Sequence, residues 1–152
     1  MQRILVVDDA EMNRELLREI LENDFVVEMA ADGEQALQKL QEYQDGMAAL
    51  LLDLQMPRAD GFAVIDQMRE CGLMERIPVL IISSEGAVDV ENKCFELGVS
   101  DFIHKPFVDS IVRNRVKNTI ELFTCKNQLE NKIEKQSEAL KKQEQIIRIQ
   151  AE

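Results

Sequence analysis

The chain has 152 residues, which is enough for one domain with a sizeable core and an appended segment. Its 29 acidic residues against 18 basic ones give a formal net charge of −11, which argues against binding to nucleic acid or to anionic lipid. The three cysteines show no CxxC spacing, so neither a disulfide framework nor a zinc site is expected. No apolar run approaches the ~20 residues of a membrane span, and the first is too short for a signal peptide. We therefore expect a cytoplasmic protein that contacts neither nucleic acid nor a membrane.

Short apolar runs alternate along the chain with longer stretches of helical periodicity. Strands are predicted at 4–7, 25–29, 47–52, 79–82 and 102–103, with helices near 12–21, 34–43, 62–68 and 87–97. The run 47–52 is continuously apolar, as expected of a central parallel strand that is buried on both faces. From residue 108 onward there is no Pro or Gly, so the last helix is predicted to be long. Five such units predict an α/β domain, a parallel sheet with helices on both faces.

Polar residues end four of the predicted strands. Asp8 and Asp9 follow the first, Asp53 the third, Ser83 the fourth and Lys105 the fifth. A single aspartate in such a place is usually a turn or helix-cap residue. Parallel strands, however, bring their carboxyl ends to one edge of the sheet, where ligands bind. Four polar strand ends of complementary character therefore indicate a functional site.

These residue types are suited to phosphoryl chemistry. Three carboxylates provide only oxygen ligands, which favours Mg²⁺ as the cofactor, with Mn²⁺ as a substitute. With the cation and Lys105 neutralising the phosphoryl oxygens, Asp53 could attack a phosphoryl group as a nucleophile. The hydroxyl of Ser83 could donate a hydrogen bond to one of those oxygens. The residues therefore predict an aspartyl-phosphate site.

Four stretches, ILVVDD, LLLDLQMPRADG, PVLIISSE and DFIHKPF, resemble the signature motifs of the receiver domain of two-component response regulators. The resemblance covers residues 1 to about 120, with the motifs in order and at the usual separations. It implies a flavodoxin-like (βα)5 domain that accepts a phosphoryl group on Asp53 from a sensor histidine kinase or a phosphotransfer protein. Such a domain is a signalling switch and promotes only its own phosphorylation and dephosphorylation.

The resemblance also implies how the cation would be held. Asp9 would ligate Mg²⁺ directly and Asp8 mostly through water. Asp53 would give one oxygen, and the backbone carbonyl of Gln55 another. Gln55 and Glu85 match variable positions that, in the family, tune how fast the aspartyl phosphate hydrolyses.

Three further residues match the part of the family pattern that responds to phosphorylation. Lys105 would pair with the phosphoryl group, and Ser83 would be the switch hydroxyl, in place of the more frequent threonine. Phe102 matches the aromatic residue that turns inward when the hydroxyl moves toward the phosphate. His104, the only histidine, is expected to be a bystander at a strand end.

The helical pattern continues well beyond the length that a receiver needs, which predicts a receiver domain at 1–121 and a helical linker at 122–152. Seam positions recur there at alternating spacings of four and three residues, and most of them are aliphatic, which predicts a dimeric coiled coil. Its seam comprises Leu122, Leu129, Ile133, Leu140 and Ile147, with polar intrusions at Lys126, Gln136 and Gln143. A solvated single helix or a disordered tail is the alternative. We expect a homodimer that pairs through the fourth and fifth helices and the coiled coil, in a register that phosphorylation can change.

The segment 112–140 also resembles linkers that join receivers to cyclic-dinucleotide enzymes, namely diguanylate cyclases and HD-type phosphodiesterases. An output domain beyond Glu152 is therefore expected.

A competing interpretation is a phosphatase of the haloacid dehalogenase type, which also uses an aspartate nucleophile. Those enzymes need a second aspartate two residues on as general acid, and Gln55 occupies that place here. Flavin binding on the same fold is a third interpretation, but residues 8–14 lack a Gly- or Ser/Thr-rich phosphate loop.

Overall fold

The computed structural model of the chain describes residues 1–43, 45–54, 60–84 and 88–151, with the backbone alone at 145–151. Within these ranges, five strands alternate with five helices, as predicted. The strands are β1 (Gln2–Val7), β2 (Phe25–Ala30), β3 (Met47–Asp53), β4 (Val79–Ser84) and β5 (Asp101–Lys105). The helices are α1 (Glu11–Leu21), α2 (Gly33–Glu42), α3 (Gly61–Glu70), α4 (Val88–Glu96) and α5 (Asp109–Ala151), with a 3₁₀ turn at Leu73–Glu75.

The strands form one parallel sheet in the order β2-β1-β3-β4-β5, which confirms the flavodoxin-like α/β fold. The strand order reverses between β1 and β3, the place where such sheets open a crevice at their carboxyl ends. β3 pairs with β1 on one side and β4 on the other, and its side chains are almost all buried. The continuously apolar run of β3 follows from this burial on both faces.

Side chains alternate along each strand and divide the core into two layers. One layer packs against α2, α3 and α4, and the other packs against α1 and α5. The first layer includes Leu5, Val7, Leu50, Leu52, Val79, Ile81 and Phe102. The second includes Ile4, Val6, Ala49, Leu51, Leu80, Ile82 and Ile103. Because neighbours in a strand point to opposite faces, this alternation also fixes the face of each polar residue that follows.

Helix α1 buries a narrower face than its apolar pattern predicts. Leu17, Ile20 and Leu21 enter the core, whereas Met12 is 75% exposed and Leu16 is 42% exposed. The two exposed residues are four apart and therefore share one row of the helix, which is turned away from the sheet. The spacing of apolar residues predicted the helix correctly but did not separate its buried face from its exposed row.

Two helices begin with a capping aspartate, and a glycine follows α4. The side chain of Asp32 accepts a hydrogen bond from the backbone N–H of Gln35, and Asp60 accepts one from Ala63, both at 2.9 Å. Each cap satisfies a backbone donor that the first helical turn leaves unpaired. Gly98 lies just beyond α4 with a φ of +100°, a region that other residues rarely adopt. α4 ends at Glu96, close to the end predicted for the helix near 87–97.

The three cysteines lie in different environments. Cys71 and Cys125 are exposed, whereas Cys94 is buried in the layer beneath α4. Burial raises the pKa of the Cys94 thiol, against a smaller lowering by neighbouring Lys93. The side chain of Cys94 is therefore a neutral, apolar part of the core at neutral pH.

The chain divides into two compact units, Met1–Ile120 and Glu121–Glu152. The first unit contains the sheet and the helices packed on it. The second unit is helical, and the aliphatic residues described in its predicted seam are mostly exposed in the single chain: Leu122 (70%), Leu129 (59%), Ile133 (60%) and Leu140 (60%). The side chain of Ile147, also predicted for the seam, lies outside the described residues. Among the described helices, none has the length and apolarity to cross a bilayer.

Candidate functional site

Three aspartates meet at the carboxyl edge of the sheet, beside the reversal of strand order. Asp53 is the last residue of β3, and Asp8 and Asp9 directly follow the neighbouring strand β1. Each offers a carboxylate oxygen, and these oxygens lie within 4.8 Å of one another. Asp8 and Asp53 are buried, whereas Asp9 is exposed. The structure therefore brings together the three carboxylates that the sequence predicts as metal ligands.

Asp8 is fully buried and is fixed by its own loop. Its Oδ1 accepts a hydrogen bond from the backbone N–H of Ala10 at 2.9 Å, and its Oδ2 accepts one from the side-chain amide of Asn13 at 3.2 Å. The guanidinium of Arg14 donates to the backbone carbonyl of Asp8 at 2.7 Å. Donors from Ala10, just before α1, and from Asn13 in its first turn thus compensate the burial of this carboxylate.

Lys105, the last residue of β5, reaches the same cluster. Its Nζ lies 3.7 Å from Oδ2 of Asp8 and 3.8 Å from Oδ2 of Asp53, and its side chain is 29% exposed. These are ion-pair distances rather than close hydrogen bonds. One ammonium against three carboxylates leaves the cluster net negative, so the site favours a further cation.

The donor set fits a hard divalent cation. Carboxylate oxygens at the positions of Asp8, Asp9 and Asp53 are the ligands that Mg²⁺ and Mn²⁺ prefer, and no softer nitrogen or sulfur ligand joins them among the described residues. The cluster also has one exposed side, at Asp9, through which ligands can enter. The arrangement could hold such an ion beside a carboxylate nucleophile.

The start of α3 presses against the backbone that follows Asp53. A Cβ atom on Gly61 would lie 2.7 Å from the carbonyl oxygen of Asp53 and equally close to Cα of Leu54. The backbone N–H of Gly61 also donates to the carbonyl of Leu54 at 3.2 Å. Because any other side chain at 61 would displace this backbone, the glycine fixes how the end of β3 approaches the site.

Ser83 and Phe102, the predicted switch hydroxyl and aromatic residue, lie on the α4 side of the sheet, whereas Lys105 does not. Because side chains alternate along each strand, Ser83 and Phe102 fall on the face of the sheet beneath α4. Asp53 and Lys105 fall on the opposite face. Phe102 is 4% exposed and packs edge-on against Phe95 of α4, with ring centroids 5.0 Å apart. The hydroxyl of Ser83 does not join the carboxylates; it lies 3.1 Å from Nδ1 of the residue expected to be a bystander, His104.

Two predicted site residues, Gln55 and Glu85, lie outside the described residues, so their tuning roles and the carbonyl of Gln55 as a ligand stay predictions.

Sequence reasoning missed the contacts of Asn13 and Gly61. Asn13 lies in a predicted helix, at no spacing from other polar residues that would single it out. Gly61 could be recognised in the sequence only as a residue near the start of a helix. A polar side chain five residues after a buried aspartate, in the first turn of the next helix, is the pattern that could have indicated the support of Asp8.

Residues 4–117 match the family model described as the response regulator receiver domain. Response regulator MprA of Mycobacterium ulcerans (strain Agy99) is 40% identical over 106 residues, which cover 69% of this chain and 44% of that protein. Response regulator RR06 of Streptococcus pneumoniae serotype 2 is 35% identical over 121 residues, 79% of this chain and 54% of its own. The chain thus spans about half the length of these curated relatives.

The chain is also similar to solved structures of response regulators and chemotaxis proteins. Chemotaxis protein CheY4 of Vibrio cholerae superposes with a TM-score of 0.72 at 25% identity, covering 78% of this chain and 98% of that one. NtrX from Brucella abortus superposes with a TM-score of 0.77 at 27% identity, covering 86% of this chain and 29% of that one. The first matches over nearly its full length, whereas only one part of the second is matched.

Proposed function

Because the chain belongs to the response regulator receiver domain family, a family of phosphorylation-dependent signalling modules, we propose that Asp53 is its phosphoacceptor. A sensor histidine kinase or a phosphotransfer protein donates the phosphoryl group, and Mg²⁺ is the cofactor. The observation that carries this proposal is the meeting of three carboxylates and one ammonium at the reversal of strand order. Two buried carboxylates, Asp8 and Asp53, beside an exposed third are typical of a functional site and not of a turn or a helix cap.

In the proposed reaction, one oxygen of the Asp53 carboxylate attacks the phosphorus, and the bond to the donor's histidine nitrogen breaks. The Nζ of Lys105 is close enough to Asp53 to pair with the phosphoryl oxygens as charge develops on them. Mg²⁺, when bound, supplies further positive charge to these oxygens. The hydroxyl of Ser83 turns toward the phosphoryl group only afterwards, because in this structure it contacts His104.

The two aspartates after β1 have different proposed roles. Both carboxylate oxygens of Asp8 already accept hydrogen bonds, from Ala10 and Asn13, which favours contact with the cation through water. Asp9 is exposed, which favours direct ligation. The difference in burial therefore supports the roles that the family resemblance implies, namely direct ligation by Asp9 and contact through water by Asp8.

Phosphorylation is tested by incubating the protein with acetyl phosphate and Mg²⁺ and measuring its intact mass. The wild-type chain is expected to gain one phosphoryl group, because acetyl phosphate provides the group without a matched kinase. Asp53→Asn is expected to gain none, since the amide is not a nucleophile. The same replacement at Asp66, an exposed residue of α3, is the matched control and keeps the gain. A wild-type mass that stays unchanged even with a matched kinase contradicts the proposal.

We further propose that residues 1–121 act as the receiver domain and 122–152 as a coiled-coil linker to an output domain, within a homodimer of a cytoplasmic protein. The support is the exposure of four seam aliphatics at spacings of seven, four and seven residues, which keep them on one stripe of the helix: Leu122, Leu129, Ile133 and Leu140. An aliphatic stripe in solvent gains stability only when a partner covers it. A second copy of the chain presents the same stripe. The output domain rests on the half-length match to the curated relatives and on the resemblance to cyclic-dinucleotide linkers.

Pairing is tested by sedimentation equilibrium of the 152-residue chain, with and without Mg²⁺ and beryllofluoride as a phosphoryl mimic. We expect a dimer whose association strengthens with the mimic. Ile133→Lys is expected to weaken association by at least tenfold, because each partner then places a charge in the apolar seam. Glu134→Lys, off the seam and also exposed in the single chain, keeps the dimer. A wild-type monomer in both states contradicts the proposed pairing.

A further inference from the structure

His104 lies between the predicted switch hydroxyl and α4. Ser83 and His104 face each other in the register of β4 and β5, and the Ser83 Oγ lies 3.1 Å from Nδ1 of the ring. The other ring nitrogen, Nε2, lies 3.5 Å from a carboxylate oxygen of Glu91 on α4. The imidazole also lies nearly parallel to the ring of Phe102, with centroids 6.4 Å apart. One side chain therefore contacts both predicted switch residues and the neighbouring helix.

The partners of the ring determine which nitrogen carries the proton. A carboxylate only accepts hydrogen bonds, so the carboxylate of Glu91, 3.5 Å from Nε2, favours the tautomer of the neutral ring that carries its hydrogen on Nε2. In the neutral imidazole, Nδ1 is then an acceptor, and the Ser83 hydroxyl donates its single hydrogen to it. A phosphoryl oxygen is also only an acceptor. Ser83 cannot donate that one hydrogen to His104 and to a phosphoryl group at the same time.

We propose that His104 is a positioning residue that holds the Ser83 hydroxyl in the unphosphorylated protein and passes its release to α4 through Glu91. This inference rests on the proposed phosphorylation of Asp53 and names the path by which α4 senses it. When Ser83 turns to the phosphoryl group, Nδ1 loses its donor and the ring is free to reorient. The ring's contact with Glu91 changes with it.

The placement of α4 supports this path. Glu91 and Phe95 are four residues apart and so lie one above the other on one face of the helix. Glu91 contacts His104, and Phe95 contacts Phe102, two residues earlier on the same face of β5. The helix thus rests on β5 through one polar and one aromatic contact, a turn apart. His104 adjoins both, because its ring stacks on Phe102.

The single histidine gives a direct readout, because a chain prepared without a polyhistidine tag has only one ring Cε1–H resonance in a ¹H–¹³C spectrum. We expect this resonance to shift when Mg²⁺ and beryllofluoride are added to the full chain. In Ser83→Ala the hydroxyl is already absent, so the resonance is displaced before the mimic is added. Adding the mimic then moves it by less than half of the wild-type shift.

His104→Phe keeps an aromatic ring against Phe102 and removes both nitrogens. This variant is expected to bind beryllofluoride about fivefold more tightly, because the mimic no longer competes with His104 for the Ser83 hydroxyl. A factor of this size corresponds to the typical net free energy of one hydrogen bond. The amide shifts of residues 88–96 on saturation are expected to fall to under half of the wild-type values. Glu91→Gln leaves the ring in place beside Ser83 but weakens its link to α4, so it is expected to reduce the amide shifts of 88–96 while changing the affinity less than His104→Phe does.

The outcomes separate this inference from the proposed function. If beryllofluoride and acetyl phosphate leave wild-type Asp53 unmodified, the proposed function fails and the inference fails with it. If Asp53 is modified but His104→Phe shows wild-type affinity and wild-type shifts at 88–96, the inference alone is overturned. Should His104→Phe lose the dispersed amide spectrum of a folded core, the ring resonance of Ser83→Ala and the shifts in Glu91→Gln decide the matter.

Discussion

Replacing Lys105 with methionine is expected to slow phosphorylation of Asp53 by roughly 10²- to 10³-fold and, in the same variant, to tighten the binding of Mg²⁺. The ammonium lies 3.8 Å from Asp53 and 3.7 Å from Asp8, so it attracts the incoming phosphoryl oxygens but also repels a cation at the same carboxylates. Removing it therefore takes charge from the phosphoryl group while leaving the carboxylates more negative. Opposite changes in two properties distinguish this electrostatic role from simple loss of structure.

The rate of mass gain with acetyl phosphate measures the first effect, and titration calorimetry with Mg²⁺ measures the second. Lys117→Met is the matched control, because it removes the same charge from α5, where Lys117 pairs with Asp24 at the far edge of the sheet. That variant is expected to match the wild-type chain in both measurements. Weaker Mg²⁺ binding in Lys105→Met would show instead that the lysine organises the carboxylates and does not compete with the cation.

Leu51→Ala is expected to lower the free energy of unfolding by about 3–4 kcal/mol, a large share of the stability of a domain this size. Leu51 is fully buried in the central strand, with Val6 and Leu80 as its partners in the strands on either side. The loss combines the transfer of the removed methyl groups with the cavity that they leave between rigid strands.

Urea denaturation followed by circular dichroism measures this loss, with slopes compared to check that the unfolded states are alike. Leu16→Ala is the matched control, because the same atoms are removed from a side chain of α1 that is 42% exposed. We expect it to cost under about 1 kcal/mol. Equal losses in the two variants would contradict the assignment of Leu51 to the core.

The fold was predictable because each of its elements has a local signal. The apolar runs of β1, β3 and β4 are short and bounded by turn residues, and the helix patterns between them leave a parallel sheet as the natural arrangement. The carboxylate cluster was predictable for the same reason, since the ends of parallel strands meet at one edge. Asp8, Asp53 and Lys105 needed only this rule to be brought together.

The contacts that the sequence left undetermined depend on how side chains pack rather than on where strands end. Asn13 supports Asp8 only because the first turn of α1 faces back over the loop. Gly61 is a start signal in the sequence, and its close approach to the Asp53 carbonyl becomes visible only when α3 is in place. The two polar partners of His104, Ser83 and Glu91, lie 21 and 13 residues away in the chain, so no local pattern predicts them.

The alternation of side chains across the sheet has a consequence for how this domain can vary. Asp53 and Lys105 belong to one face, and Ser83, Phe102 and His104 belong to the other. Substitutions at Asp53 or Lys105 therefore alter the chemistry directly, whereas substitutions at Phe102 or His104 act on it only through the hydroxyl of Ser83. The length of β5 constrains this arrangement: inserting or deleting a single residue before His104 would exchange the faces of His104 and Lys105.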